Sequence, residues 1–186
     1  MWILATVTEV EALELLARLF PFRVRLDDDP DTERYLVLDA PTEVNFVEGE
    51  GLRVSLPGKV RWSLPIGALD VTIKCVQAML VPSIANVDGQ DGLRFSVEVE
   101  GLDVEWVPAL LDSKVADIIT KKLGEKPVEW NFTKTLTHTF PLPDMFDPPR
   151  QISTSVREPT CTVTSTAMTL GLFVAVDASH AKAPVR

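Results

Sequence analysis

The chain of 186 residues is poor in the residue types that most often carry chemistry: two cysteines, two histidines and one tyrosine. Two cysteines, Cys75 and Cys161, exclude a disulfide framework and leave either one bridge or two reduced core thiols. Zinc needs three or four ligands at paired spacing, which these two cysteines with His138 and His180 do not provide, so no metal or cofactor is expected. Nucleophile motifs of the Gly-x-Ser-x-Gly and Ser-x-x-Lys kinds are missing in any convincing context. With histidine this scarce, the chain reads as a non-enzyme. Basic residues are also short, 18 Lys and Arg against 27 Asp and Glu, a net charge of -9. That balance excludes nucleic acid as a partner, because phosphate backbones need clustered cations. It equally disfavours simple docking on anionic lipid.

Long apolar runs are absent too. The span from Pro159 to Val176 is uncharged, but five threonines and a serine interrupt it. Its apolar heart is about ten residues, half of the ~20 that a membrane-crossing helix needs. No transmembrane span is expected, and membrane contact would be transient. The amino terminus, MWILATVTEVEA, lacks a basic region, and its apolar stretch is too short for a signal peptide. A complete chain would therefore be cytoplasmic, whereas one that had lost a targeting segment would belong to the cell envelope.

What is present is apolar surplus. The composition is 46% hydrophobic and the mean hydropathy is +0.13, despite the acidic balance. A solvated shell around a large apolar interior accounts for both, and disorder does not. The length fits one domain over residues 1–186, with 177–186 as a frayed tail. Thr8 and Glu11 have the spacing of a capping box, and Val10, Leu13, Leu16, Ala17 and Phe20 then recur at helical steps until Pro21. The acidic RLDDDPDTER loop lacks the alternating ligands and distal Glu of a calcium loop and reads as solvated.

From Tyr35 to Trp106 the period shortens to two. Val60, Trp62, Leu64 and Ile66 share one face, as do Val71, Ile73 and Cys75. Leu93, Phe95, Val97 and Val99 face one way until Gly101, after which Leu102, Val104 and Trp106 carry the apolar side. A one-residue slip at a glycine predicts a β-bulge. Fourteen residues from Leu93 to Trp106 would span about 46 Å at ~3.3 Å each, more than twice the usual ~17–20 Å strand. Strands of that reach suit a long curled sheet.

A second helix is expected from Pro108 to Gly124, with Leu111, Val115, Ile118, Ile119 and Leu123 as its apolar stripe. Strands resume with Val128, Trp130, Phe132, Leu136 and Phe140 on one face. The sequon Asn131-Phe132-Thr133 falls inside that strand pattern and reads as chance. The last long strand presents Met168, Leu170, Leu172, Val174 and Val176. Between these strands, PLPDMFDPPR sets Met145 and Phe146 on a surface loop, so residues 141–149 are where a protein partner would dock.

The inward faces can be close-packed core, or they can leave a slot between helix and sheet for acyl chains. Residues alone weigh these evenly. The order of elements resembles the tubular lipid-binding (TULIP) superfamily, nearest its bacterial YceB-like lipoproteins. The similarity runs through VTEVEALELLARLFPFRVRL, LRVSLPGKVRWSLPIGALDVTIKC and GLDVEWVPALLDSKVADIITKKLGEKPVEW, and covers about residues 7–177. Those lipoproteins begin with a signal peptide and a lipidated cysteine, and this sequence has neither. The resemblance implies an α+β fold, a long, highly curved antiparallel sheet wrapped around two amphipathic helices, with lipid held between them and no catalysis. The expected lining is Leu16 and Phe20 from the first helix. The strands would add Val60, Trp62, Leu64, Ile73, Phe95, Val97, Leu102, Val104, Trp106, Trp130, Phe132, Met168, Leu170 and Leu172. Leu111, Val115, Ile118 and Ile119 complete it from the second helix. The alternative is a fully packed scaffold or interaction subunit of a larger, membrane-associated complex.

Overall fold

A computed structural model describes residues 1–26, 34–64, 67–105, 117–118, 120–125, 127–142 and 150–180, without the side chains of 62–64, 67–69, 141 and 180. In order, the chain runs β1 (Trp2–Thr8), α1 (Glu9–Ala17), β2 (Phe22–Arg25), β3 (Tyr35–Leu38), β4 (Glu43–Val47), β5 (Gly51–Leu64), β6 (Gly67–Val87) and β7 (Gln90–Val104). A helical stretch, α2, follows at 117–118 and 120–124. Then come β8 (Val128–Trp130), α3 (Phe132–Leu136), β9 (Thr139–Pro141), β10 (Arg150–Val163) and β11 (Ala167–His180). All strand pairs are antiparallel. They form a four-stranded sheet, β1-β11-β10-β9, and a larger one, β2-β3-β5-β6-β7-β8, with β4 sharing the edge of β5 beside β3.

The fold is therefore β-rich rather than α+β. Helix α1 spans nine residues and α3 five, so among the described residues helices decorate the sheets and form no layer of their own. Continuity of the first strand hid it from the alternation test: WILATVT has too few polar positions to show a period of two.

Bulges supply the curl. Opposite β7, Gln77 pairs Gly101 while Ala78 pairs Val99, so Glu100 is the extra residue and the slip expected at Gly101 is present. Further register shifts fall between Leu56 and Gly58, between Ile73 and Cys75, and between Arg157 and Thr160. Pro57 sits in the first of these, where its missing N–H costs no ladder bond. Gly58 is required nearby, since a Cβ there would stand 2.5 Å from the Val37 carbonyl oxygen. Asp88 and Gly89, both with positive φ, close the β6–β7 hairpin.

One expected strand and part of the expected tail change. Phe132–Leu136 is helical, because Asn131 caps it: its Oδ1 accepts from the Lys134 N–H at 2.7 Å and its Nδ2 donates to the Val87 carbonyl at 3.0 Å. Thr133 donates to the Asp91 carbonyl at 2.7 Å, so both polar residues of the sequon hold α3 against the β6–β7 turn. Residues 177–180 are no tail, since Arg150 pairs His180 and Ser153 pairs Asp177.

The capping box is made as expected, Thr8 N–H to Glu11 Oε2 at 2.9 Å with Thr8 Oγ1 accepting from Glu11 N–H. Of the expected stripe, Leu13, Leu16 and Phe20 pack on the core, whereas Val10 is exposed. The main core joins both sheets: Leu36, Val54, Val60, Ile73 and Val76 from the larger one meet Met168, Cys161 and Val163 from the smaller. A second cluster gathers Phe132, Leu93, Leu170 and Leu172. Cys75 and Cys161 are free thiols, both half-buried.

Candidate functional site: an apolar groove

Where α1 ends, the described residues cover the concave face of the larger sheet incompletely. A groove of about 350 Å³ opens there. Its floor is Leu38 of β3, Val54 and Leu56 of β5, Ala78 and Leu80 of β6 and Val97 of β7. Cross-strand pairing sets these in rows, Val54 beside Ala78 and Leu80 beside Val97. Leu16, Leu19 and Phe20 come from α1 and its exit, Phe22 from β2, Leu123 from α2 and Val128 from β8. Every lining residue, among those described, is apolar.

Burial separates floor from mouth. Leu38, Val54 and Ala78 are each 2% exposed, while Leu19 is 70%, Val128 62% and Phe22 51% exposed. Phe22 meets Phe20 edge-on with ring centroids 6.4 Å apart. Large apolar side chains left in water around a concavity are uncommon on monomeric proteins and mark binding surfaces. Such a site can exclude water and desolvate hydrocarbon; its described lining holds no acid, base or nucleophile.

The twenty residues expected to line the interior divide by position. Leu16, Phe20 and Val97 line the groove. Val60, Ile73 and Met168 are buried in the main core, with Phe95, Leu102 and Ile118 packed against it. Phe132, Leu170 and Leu172 form the second cluster, and half-buried Val104 pairs with Ile73. Trp130 is 45% exposed at the sheet margin, edge-on to Phe132, its indole N–H donating to Thr135 at 3.4 Å. Trp62 and Leu64 by their side chains, and Trp106, Leu111, Val115 and Ile119 altogether, lie outside the described residues, as do the 27–33 loop, Met145 and Phe146.

Leu80 and Ala78 escaped sequence reasoning because the bulge after Ile73 moves the inward positions of β6 from odd to even numbers. The alternation expected from sequence ends at Cys75 and gives no facing to Ala78 or Leu80. Phe22 and Leu38 sit on strands of four residues, too short to display a period, while Val128, on an apolar face by alternation, is absent from the expected lining.

A second concavity, about 490 Å³, lies on the larger sheet among Tyr35, Asp39, Lys59, Arg61 and Asp70. Arg61 reaches Asp70 at 3.7 Å, and the Arg23 guanidinium lies 3.6 Å from the Tyr35 ring centroid. Acids and bases alternate there, as on a solvated ion-pair surface. His138 is exposed, its Nε2 2.9 Å from the Thr135 carbonyl oxygen. Among the described residues no group of three His, Cys, Asp or Glu could hold a metal, and no helix is long and apolar enough to cross a membrane. Neither a family model, a curated protein nor a solved structure matches the chain.

Proposed function

We propose that the protein binds a lipid or other elongated hydrophobic ligand, without catalysis, in the groove between the exit of α1 and the curled sheet. The observation that carries the proposal is the wholly apolar lining combined with the exposed apolar mouth of Leu19, Phe22 and Val128. Its volume falls near the lower end of the ~300–1,000 Å³ of small-molecule sites. At about 30 Å³ per methylene, close to the volume of a water molecule in the liquid, it holds on the order of ten methylenes. That suits a single acyl chain, with its polar head at the mouth, as storage or transfer of one chain would require. The arrangement of curled sheet over a short amphipathic helix supports a likeness to tubular lipid-binding domains.

The test is titration of the purified protein with a fluorescent fatty acid, paired with organic extraction and mass spectrometry. One saturable site, emptied competitively by an unlabelled fatty acid, is the expected result. Absence of both saturable binding and extractable ligand would sink the proposal and leave the packed scaffold.

A further inference from the structure

The outer edge of the smaller sheet is open. Strand β1 has β11 as its one strand neighbour among the described residues. The hydrogen bonds decide which backbone groups remain. Met1 N–H donates to the Val174 carbonyl at 2.9 Å and Val174 N–H to the Met1 carbonyl at 2.8 Å, so Met1 and Val174 form a hydrogen-bonded pair. Such pairs alternate along an antiparallel ladder. Odd-numbered residues of β1 therefore bond to β11, and Trp2, Leu4 and Thr6 turn their N–H and C=O groups outward. Thr8 would be next, but its N–H is taken by Glu11.

Among the described residues nothing protects this edge. Sheet edges are normally blunted by lysine, proline, a bulge or a covering element. Strand β1 has no charge, no proline and no register shift against β11. Its side chains are open as well: Trp2 is 53%, Ile3 39% and Leu4 70% exposed.

We propose that this edge pairs antiparallel with β1 of a second copy of the chain, about a two-fold axis at Leu4. The outward groups at residues 2, 4 and 6 are symmetric about that position. Trp2 then faces the partner's Thr6 and Leu4 faces the partner's Leu4, with both N–H···O bonds exchanged in every pair. On the other face Ile3 meets the partner's Ala5. Two copies that each carry a charge of -9 repel over most of their surfaces. This uncharged strip lets them meet without setting like charges opposite each other, and a two-fold contact of one patch with itself is the commonest oligomer symmetry.

Sedimentation or light scattering of the full chain across a concentration series tests it. The expected mass is twice 20.5 kDa. Leu4→Lys and Leu4→Glu chains should each be monomeric, because the axis sets residue 4 against residue 4, and should pair when mixed. Val10→Lys, an equally exposed change on α1, should leave the dimer intact. In the wild type, amide exchange of Trp2, Leu4 and Thr6 should slow on dimerisation, while that of Ile3, Ala5 and Val7 is slow throughout; this readout needs no variant. A wild type at monomer mass throughout, a dimer indifferent to Leu4→Lys, or charge variants that stay apart on mixing would each overturn the proposal.

Discussion

Replacing Val97 with phenylalanine separates a ligand groove from a packed interior by the sign of one measurement. Val97 is half-buried on the β7 side of the groove, paired with Leu80 and close to Val128 of the next strand. Phenylalanine adds four carbons. If they occupy space that a ligand would fill, the ligand loses about four methylenes of burial, or ~3 kcal/mol at ~0.8 kcal/mol each. With ~1.4 kcal/mol per tenfold, affinity for a fluorescent fatty acid should drop about 100-fold. Stability should not fall, since the ring covers apolar surface that water now reaches. In a filled interior the same substitution would overpack, costing ~1–3 kcal/mol. For a chain of this size each kcal/mol moves Tm by roughly 2–4 °C, so Tm would drop by about 2–12 °C. Calorimetry on ligand-stripped protein and a binding titration give the two readings. Wild-type affinity in Val97→Phe, or a Tm loss of the overpacking size, would refute the groove.

Phe132→Ala removes a fully buried ring that anchors α3 to the second cluster, and should cost ~3–5 kcal/mol by denaturant titration. Asn131→Ala should cost ~1 kcal/mol for the cap, with α3 loosened where its side chain now reaches Val87. Glu100 and Glu11 both sit below the ordinary carboxylate range, Glu100 through its hydrogen bond from Arg53 and Glu11 through the backbone N–H of Thr8. A carboxylate lowered on folding stabilises above its unfolded pKa and loses that contribution as pH falls through the folded value. The stability gap between wild type and Glu100→Gln should therefore be widest at neutral pH and close on acidification; a gap constant with pH would remove Arg53 as its cause.

Regular alternation made β5 and β7 visible in sequence, and a single glycine located the bulge of β7. Helix α1 was visible through its caps, because Thr8 and Glu11 act locally. Where local signals were outvoted, sequence reasoning failed. Phe132 continues an apolar alternation that predicts a strand, yet Asn131 can satisfy the Lys134 N–H and thereby favours a helical turn. The bulge after Ile73 carries no glycine, so the parity change that places Ala78 and Leu80 in the groove left no mark. Groove residues on β2 and β3 depend on contacts far apart in sequence, which periodicity does not encode.

Lengths explain why such a groove arises. Strand β6 runs 21 residues, about 69 Å at ~3.3 Å each, before bulges bend it. Helix α1 has nine residues, about 14 Å at ~1.5 Å each. A helix that short covers only part of a concave face, and the two bulges of the β6–β7 pair, after Ile73 and at Gly101, carry the sheet around it. The core closes where Leu13, Leu16 and Phe20 reach the sheet, and apolar surface surfaces again at Leu19, Phe22 and Val128. Burial of hydrocarbon is favourable in proportion to its area, so an apolar mouth that the described residues leave exposed is a standing free-energy gain for whatever fills it. An acidic chain with net positive hydropathy can keep such a mouth open in water, because a net charge of -9 makes copies repel one another.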